Sequence, residues 1–542
     1  MNSSKLKNPL FAAVFAAIGF TACQKDITQP EPVLSTIDSS NVEAFRVINP
    51  KTLTTYYISP SGNDATGTGS ASSPWKTLYK ATSTVSVNNA VIHVNAGTYT
   101  ETMPCDLKPG VSIEGDGVSS VLQTTQTGDW TSLLALHSSS EGTNGNQHIS
   151  NVKFDGQNLA SFYAITVSGR SNVSVHDITA VNFKEAAVIF NGRTDNTEAA
   201  PGTYATGNSF YNNTLLNCSR YEGWGRGCFG MGGQDGMLVY NNVITQNQRP
   251  AGNNGYCIKY ANGGYTKGCK IYGNTFTRAQ STGNDFYFCV ELFNTSGLEI
   301  YNNVFNGGAL DMNYQTKGNY TYSVWVHNNQ FLQPNVNLTA NQSGIIMEYG
   351  SESQLIENNV FSKQNFGISY VPRAGNTVTD ITIRKNLMTG IASGVWGGSY
   401  INFNDLSNYV VSNISIYNNT LEYDRSYPFW TGIVLPSAAS GSFSNISIKN
   451  NIIAGARAAA IGQTGASGVS NLAIQNNDSY NSGIVASIST IGLGYLLGNN
   501  IVPTPTYGAN YTLTSGSPLI NAGVNVGLPF NGSAPDIGYA EF

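Results

Sequence analysis

The stretch Leu298-Glu299-Ile300-Tyr301-Asn302-Asn303 alternates apolar and polar residues and closes on an asparagine pair. The alternation returns in Ile381-Thr382-Ile383-Arg384, Ile414-Ser415-Ile416-Tyr417 and Ile446-Ser447-Ile448-Lys449, each followed by an asparagine pair or a degenerate copy of one. The second asparagine falls at 213, 242, 274, 303, 329, 359, 386, 419, 451 and 477, in steps of 26–33 residues. Period-two alternation over four or five residues predicts a strand with one buried face. A unit this short cannot bury its apolar side alone and must stack on its neighbours. Variable steps suit coils whose loops grow and shrink, whereas propeller blades need uniform wedges. No persuasive helical period follows residue 90, which argues against helical repeats. Stacked coils would set the asparagines about 4.8 Å apart, close enough for their amides to hydrogen-bond along the stack.

Both ends carry further patterns. The entry reads Tyr56-Tyr57-Ile58-Ser59-Pro60-Ser61-Gly62-Asn63-Asp64, then Pro74-Trp75-Lys76-Thr77-Leu78, Val91-Ile92-His93-Val94 and Ala96-Gly97-Thr98-Tyr99. The exit reads Ser515-Gly516-Ser517-Pro518, Asn521-Ala522-Gly523 and Asp536-Ile537-Gly538. With the repeats, these resemble the right-handed parallel β-helix proteins of the pectate-lyase-like superfamily. The resemblance implies an all-β solenoid over 51–542, with a short N-terminal capping helix near 74–87. It says little about activity, because the fold hosts lyases, hydrolases, esterases and adhesins.

The N-terminus has Lys5 and Lys7, an apolar run from Leu10 to Phe20, then Thr21-Ala22-Cys23. This pattern predicts a lipoprotein signal peptide over 1–22, lipidation of Cys23 and a polar tether over 23–50. The charged start Gln24-Lys25-Asp26 resembles surface-exported Bacteroidetes lipoproteins, so attachment to the outer membrane through the N-terminal lipid is expected. Charged residues make up 11% of the chain and the net charge is −5, with no basic cluster, which argues against nucleic-acid binding. Six cysteines follow Cys23. Export permits disulfides, and Cys218–Cys228 or Cys257–Cys269 would be plausible pairs.

The chemistry is sought in the strand that tends to follow a glycine in each coil. Aligning Phe229, Ile258, Val290, Leu310 and Met347 as one inward column leaves two outward columns. One holds Cys228, Cys257, Cys289, Ala309 and Ile346. The other holds Gly230, Lys259, Glu291, Asp311 and Glu348, four ionisable residues on successive coils of one exposed face. Acidic residues are depleted in strands, and stacked like charges repel, so this column is the candidate catalytic site. The competing reading is a solvated, decorated surface.

Two chemistries fit. A glycoside hydrolase needs one protonated and one ionised carboxyl, which Glu291, Asp311 and Glu348 could supply. A polysaccharide lyase would use Lys259 as base, with calcium held by the acids. The thin basic surround favours a neutral glycan and hydrolysis, for which no cofactor is expected. A non-catalytic glycan-binding or adhesion solenoid is the third possibility. Candidate substrate contacts are Asp285, Tyr370, Arg373, Trp396 and Trp224. The expected partner is a polysaccharide or oligosaccharide, and the expected state is a monomer.

Overall fold

The computed structural model describes residues 53–542 apart from 158–160, 193–199, 220–226, 248–254, 262, 279–287, 334–342, 391–397, 404–408, 423–430, 437–440, 464–467 and 489–493. The chain forms a right-handed parallel β-helix. Its named strands pair in parallel with those of the coils before and after, as in Leu298–Tyr301 with Lys270–Tyr272 on one side and Val324–His327 on the other. The inward residues of all coils form one continuous core, from Ile58 to Ile474.

The repeated asparagine pair does two different jobs. The first member turns the chain. Asn212, Asn241, Asn302, Asn328, Asn358, Asn418, Asn450, Asn476 and Asn499 all sit in the left-handed region, with φ between 51° and 56°. Asparagine tolerates that region better than other residues with a Cβ. The degenerate copies fill the same corner with Gly273 (φ 65°) and Lys385 (φ 52°).

The second member points inward and builds a ladder. The amide of Asn303 donates from Nδ2 to Asn329 Oδ1 at 3.0 Å, and its backbone N–H reaches the same oxygen at 3.0 Å. Asn329 repeats both bonds to Asn359, at 3.0 and 2.9 Å. The relay runs from Asn213 to Asn477 and one coil further, to Asn500. Each rung satisfies buried polar groups that coil corners would otherwise leave without partners.

The helix Leu78–Thr84 is shorter than the expected 74–87. Thr77 caps it by accepting from Lys80 N, and the buried Glu101 carboxylate accepts from Leu78 N at 2.7 Å and Tyr79 N at 3.1 Å. Leu78 and Ala81 close the core at that end.

Two expectations from the sequence are corrected. The cysteines do not line an outward column. Cys228, Cys257 and Cys289 belong to the core, and a bulge at Cys289 makes Phe288, not Cys289, oppose Ala309. All six described cysteines are buried and free, so neither plausible disulfide forms.

The inward column also slips. Phe229, Ile258, Val290 and Leu310 are in register, but Leu310 opposes Ile345, and Met347 opposes Met312. The strand Ser343–Glu357 therefore stands two residues away from the expected alignment. An unmarked slip of two keeps every side chain on its own face, so hydrophobic pattern alone does not reveal it.

Candidate active site

Lys259, Glu291 and Asp311 stand in one register on three successive coils, with Lys259 opposite Glu291 and Glu291 opposite Asp311. Glu348 is two residues out of line. It opposes Asn313, and Asp311 opposes Ile346. Because side chains alternate with period two, Glu348 still shares the outward face with Asp311 and Asn313.

The outward face is not wet where the column begins. Lys259 and Glu291 are 3% and 5% exposed, and Asp311 is fully buried. The expected exposed ladder is thus a buried one for three of its four members. Neighbouring outward residues are themselves apolar, with Tyr256, Phe288, Ala309 and Ile346 forming a separate buried cluster. Only Glu348 reaches solvent, with 22% of its side chain exposed.

Burial dictates pairing. Lys259 Nζ lies 3.0 Å from Glu291 Oε2 and 4.1 Å from the centre of the Tyr256 ring. The buried Arg278 lies 6.0 Å from the same ring and donates to Phe288 O at 2.8 Å. Asn313 Nδ2 donates to Asp311 Oδ2 at 3.2 Å, while Asp311 Oδ1 has no hydrogen-bond partner. At the open end, Arg373 Nη2 stands 3.5 Å from Glu348 Oε2, and its guanidinium lies 4.4 Å from the Tyr349 ring centre.

All three carboxyls hold protons more tightly than usual. Burial is the main cause for each. The charges of Glu291 and Glu348 push Asp311 up further, well above the ordinary carboxyl range. Lys259 opposes the rise at Glu291, and Arg373 opposes it at Glu348. One face thus carries a buried carboxyl, Asp311, whose proton is held well above the ordinary range, between a carboxyl tied to a lysine and another at the solvent edge.

Near the end of the strand Ala309–Gln315, Tyr314 stacks on Tyr349 at 4.4 Å. Both tyrosines have left-handed backbones, with φ 55° and 65°. Bulky residues seldom adopt that region, and such strain concentrates at functional sites. Tyr260 and Phe293 continue the row, stacked at 4.1 Å. A cavity of about 250 Å³ adjoins it, lined by Tyr314, Gln315, Ser351, Glu352, Asn376 and Thr377 among others. Nothing in the sequence pattern marked Tyr314 or Tyr349, because their backbone conformation is a property of the folded corner.

The other sequence-derived candidates divide. Arg373 joins the site through Glu348. Tyr370 does not: it is fully buried, stacks on Phe403 at 4.7 Å and donates its hydroxyl to Gln354 Oε1. It is a core residue, one of the inward positions of Phe366–Val371. Asp285, Trp224, Trp396 and Cys23 lie outside the described residues.

No family model matches the chain, and no curated protein matches it. Solved structures with some likeness include the tailspike protein of E. coli bacteriophage HK620 in complex with a pentasaccharide. That match has 11% identity, a TM-score of 0.42 and 77% of each chain covered. The Agl-KA catalytic domain has 15% identity and a TM-score of 0.41, covering 78% of this chain and 64% of that one. The tailspike gp49 from Acinetobacter baumannii bacteriophage Fri1, a capsular polysaccharide depolymerase, has 12% identity and a TM-score of 0.35, covering 61% and 53%. The chain thus spans about half of the last protein's length. No residue of the site is assigned from these likenesses.

Proposed function

We propose that the protein is a carbohydrate-active enzyme, a glycoside hydrolase whose working pair is Glu348 and Asp311. The observation that carries the reading is their unequal environment on one face. Asp311 is sealed from water and holds its proton more tightly than an ordinary carboxyl, whereas Glu348 meets solvent beside the Arg373 cation. Acid-and-base glycoside hydrolysis requires two carboxyls in unlike environments, one favouring its protonated form more than the other. The amide- and hydroxyl-lined cavity next to Tyr314 and Tyr349 offers hydrogen bonds to a polyhydroxylated ligand. Glu291 is the support, held by Lys259.

Lys259 is poorly placed as the base of a lyase, because it is almost wholly buried, with Nζ 3.0 Å from Glu291 Oε2 and over the Tyr256 ring, and so has little access to a substrate proton. Hydrolysis by two carboxyls calls for no cofactor. The N-terminal pattern at Cys23 supports placing the enzyme on the outer membrane.

A non-catalytic glycan-binding solenoid is the second reading, favoured by the complete burial of Asp311. A panel of neutral and acidic polysaccharides, read for new reducing ends and for the ultraviolet absorbance of unsaturated products, separates the readings. Reducing ends without absorbance support hydrolysis. Absorbance supports a lyase, and binding without turnover supports the second reading.

A further inference from the structure

The two ends of the solenoid are finished differently. The helix Leu78–Thr84 closes the N-terminal end, where Leu78 and Ala81 join the core. At the other end, the strand Ile484–Ile488 pairs with Ala459–Gln463, and the strand Leu496–Gly498 pairs with Val469–Gln475. Among the described residues, neither end strand has a partner on its far side. The C-terminal segment does not supply one. It runs along the flank, where Leu513, Leu519 and Ile537 pack on Ile452 and Ala454. There the corner residues Asn418, Asn450 and Asn476 donate to its carbonyls.

The last layer of the core is therefore open. Leu497 stands over the fully buried Ile474, yet it is 49% exposed. Ala486 stands over the fully buried Ile461 and is only partly covered. Ile484, Leu496 and Val502 are 52%, 50% and 65% exposed. Soluble proteins protect such apolar strand edges with charged side chains or a covering element. Here charge is missing: from Ser479 to Pro535 the chain has no Asp, Glu, Lys, Arg or His.

These features select the occupant. Open backbone donors and acceptors along a strand call for another strand. An uncharged end meets its own copy without like-charge repulsion. A two-fold axis through Ala486, perpendicular to the strand, sets Ile484–Ile488 antiparallel to itself. Ile484 then faces Ile488 of the second copy, and each strand supplies the hydrogen bonds that the other lacks. The end face of a solenoid is one coil. With steps of 26–33 residues, a coil is close to one side of a standard interface, about 20–30 residues. We propose that the C-terminal end of the solenoid is a self-association surface that joins two copies end to end through Ile484–Ile488, in place of the monomer expected from the sequence.

The test is sedimentation of the full chain, kept in density-matched detergent because of its apolar N-terminal run. Wild type should be a dimer at about 10 µM and dissociate on dilution. Ile484→Lys and Ser487→Lys each put a charge on the edge and should leave a monomer. Val118→Lys, at an exposed site on the entry coils, should remain a dimer. Hydrogen exchange of wild type needs no variant: the Ile484–Ile488 amides should exchange about tenfold faster after dilution, while those of Ser442–Lys449 stay unchanged. A monomer up to about 100 µM, a dimer that both edge variants retain, or assemblies that grow beyond two copies overturn the proposal. So does protection of Ile484–Ile488 that ignores concentration and disappears when residues 1–51 are removed, because the chain's own N-terminal segment would then be the cover.

Discussion

Lys259 Nζ lies 3.0 Å from Glu291 Oε2, and both side chains are almost wholly withdrawn from water. Removing one partner leaves the other charge buried alone. Lys259→Met or Glu291→Gln should each cost about 3–5 kcal/mol. The double variant should cost less than the sum, because neither charge is then stranded. Chemical denaturation of the four proteins in a double-mutant cycle measures the coupling; additive losses would show that the pair is not coupled.

Activity separates the members of the acidic face. Glu348→Gln and Asp311→Asn should each lower hydrolysis roughly a hundredfold or more. Arg373→Ala removes the cation beside Glu348 and should shift the acidic limb of the pH–rate profile upward. Reducing-end assays on the responding glycan check both, and full activity in both carboxyl variants would remove them from the mechanism.

Asp311 also gives stability a pH dependence. Its folded-state pKa is raised, first by burial and then by Glu291 and Glu348, so the folded protein binds its proton more tightly than the unfolded chain does. That contribution is complete below the ordinary carboxyl pKa of about 4 and is lost as pH rises towards the raised value. Asp311→Asn cannot ionise. It should therefore melt higher than wild type at pH 7–8, by roughly 1–2 °C, with the difference shrinking near pH 4. Melting curves across that range provide the check, and a gap that widens towards pH 4 would contradict the assignment.

The asparagine ladder predicts a local defect. Asn329→Ala leaves the Asn303 backbone N–H and Nδ2 without the oxygen they share. A loss of about 1–3 kcal/mol follows from stranding buried donors. Hydrogen exchange should quicken in the coils around 303 and 359 and leave the entry coils near residue 100 unchanged, since each coil touches only its neighbours.

The thiols should be inert in the native state. Burial pushes Cys218 and Cys269 up to about 12, and Cys228 and Cys257 rise as well. A thiol reagent at pH 8 should label none of the six described cysteines until denaturant is added. Reductant should leave the melting temperature unchanged.

The coil phase was legible because the corner residue and the ladder residue are adjacent and chemically demanding. One must tolerate a left-handed backbone, and the other must carry both a donor and an acceptor. The alignment of Lys259, Glu291 and Asp311 followed from that phase. Glu348 did not, because the two-residue offset of the strand Ser343–Glu357 leaves the inside-outside alternation intact. Tyr370 was misread for a related reason: an aromatic residue suits a sugar site and a core equally well.

By itself, the sequence determined the stacking. A strand too short to hide its apolar face, repeated with an asparagine that bonds to its own copy, has few stable arrangements other than a solenoid. Only the tertiary structure decided which charges meet water. Burial of Lys259, Glu291 and Asp311, and the exposure of Glu348, depend on outward residues from several coils closing over one another. Those contacts are non-local, and no repeat encodes them.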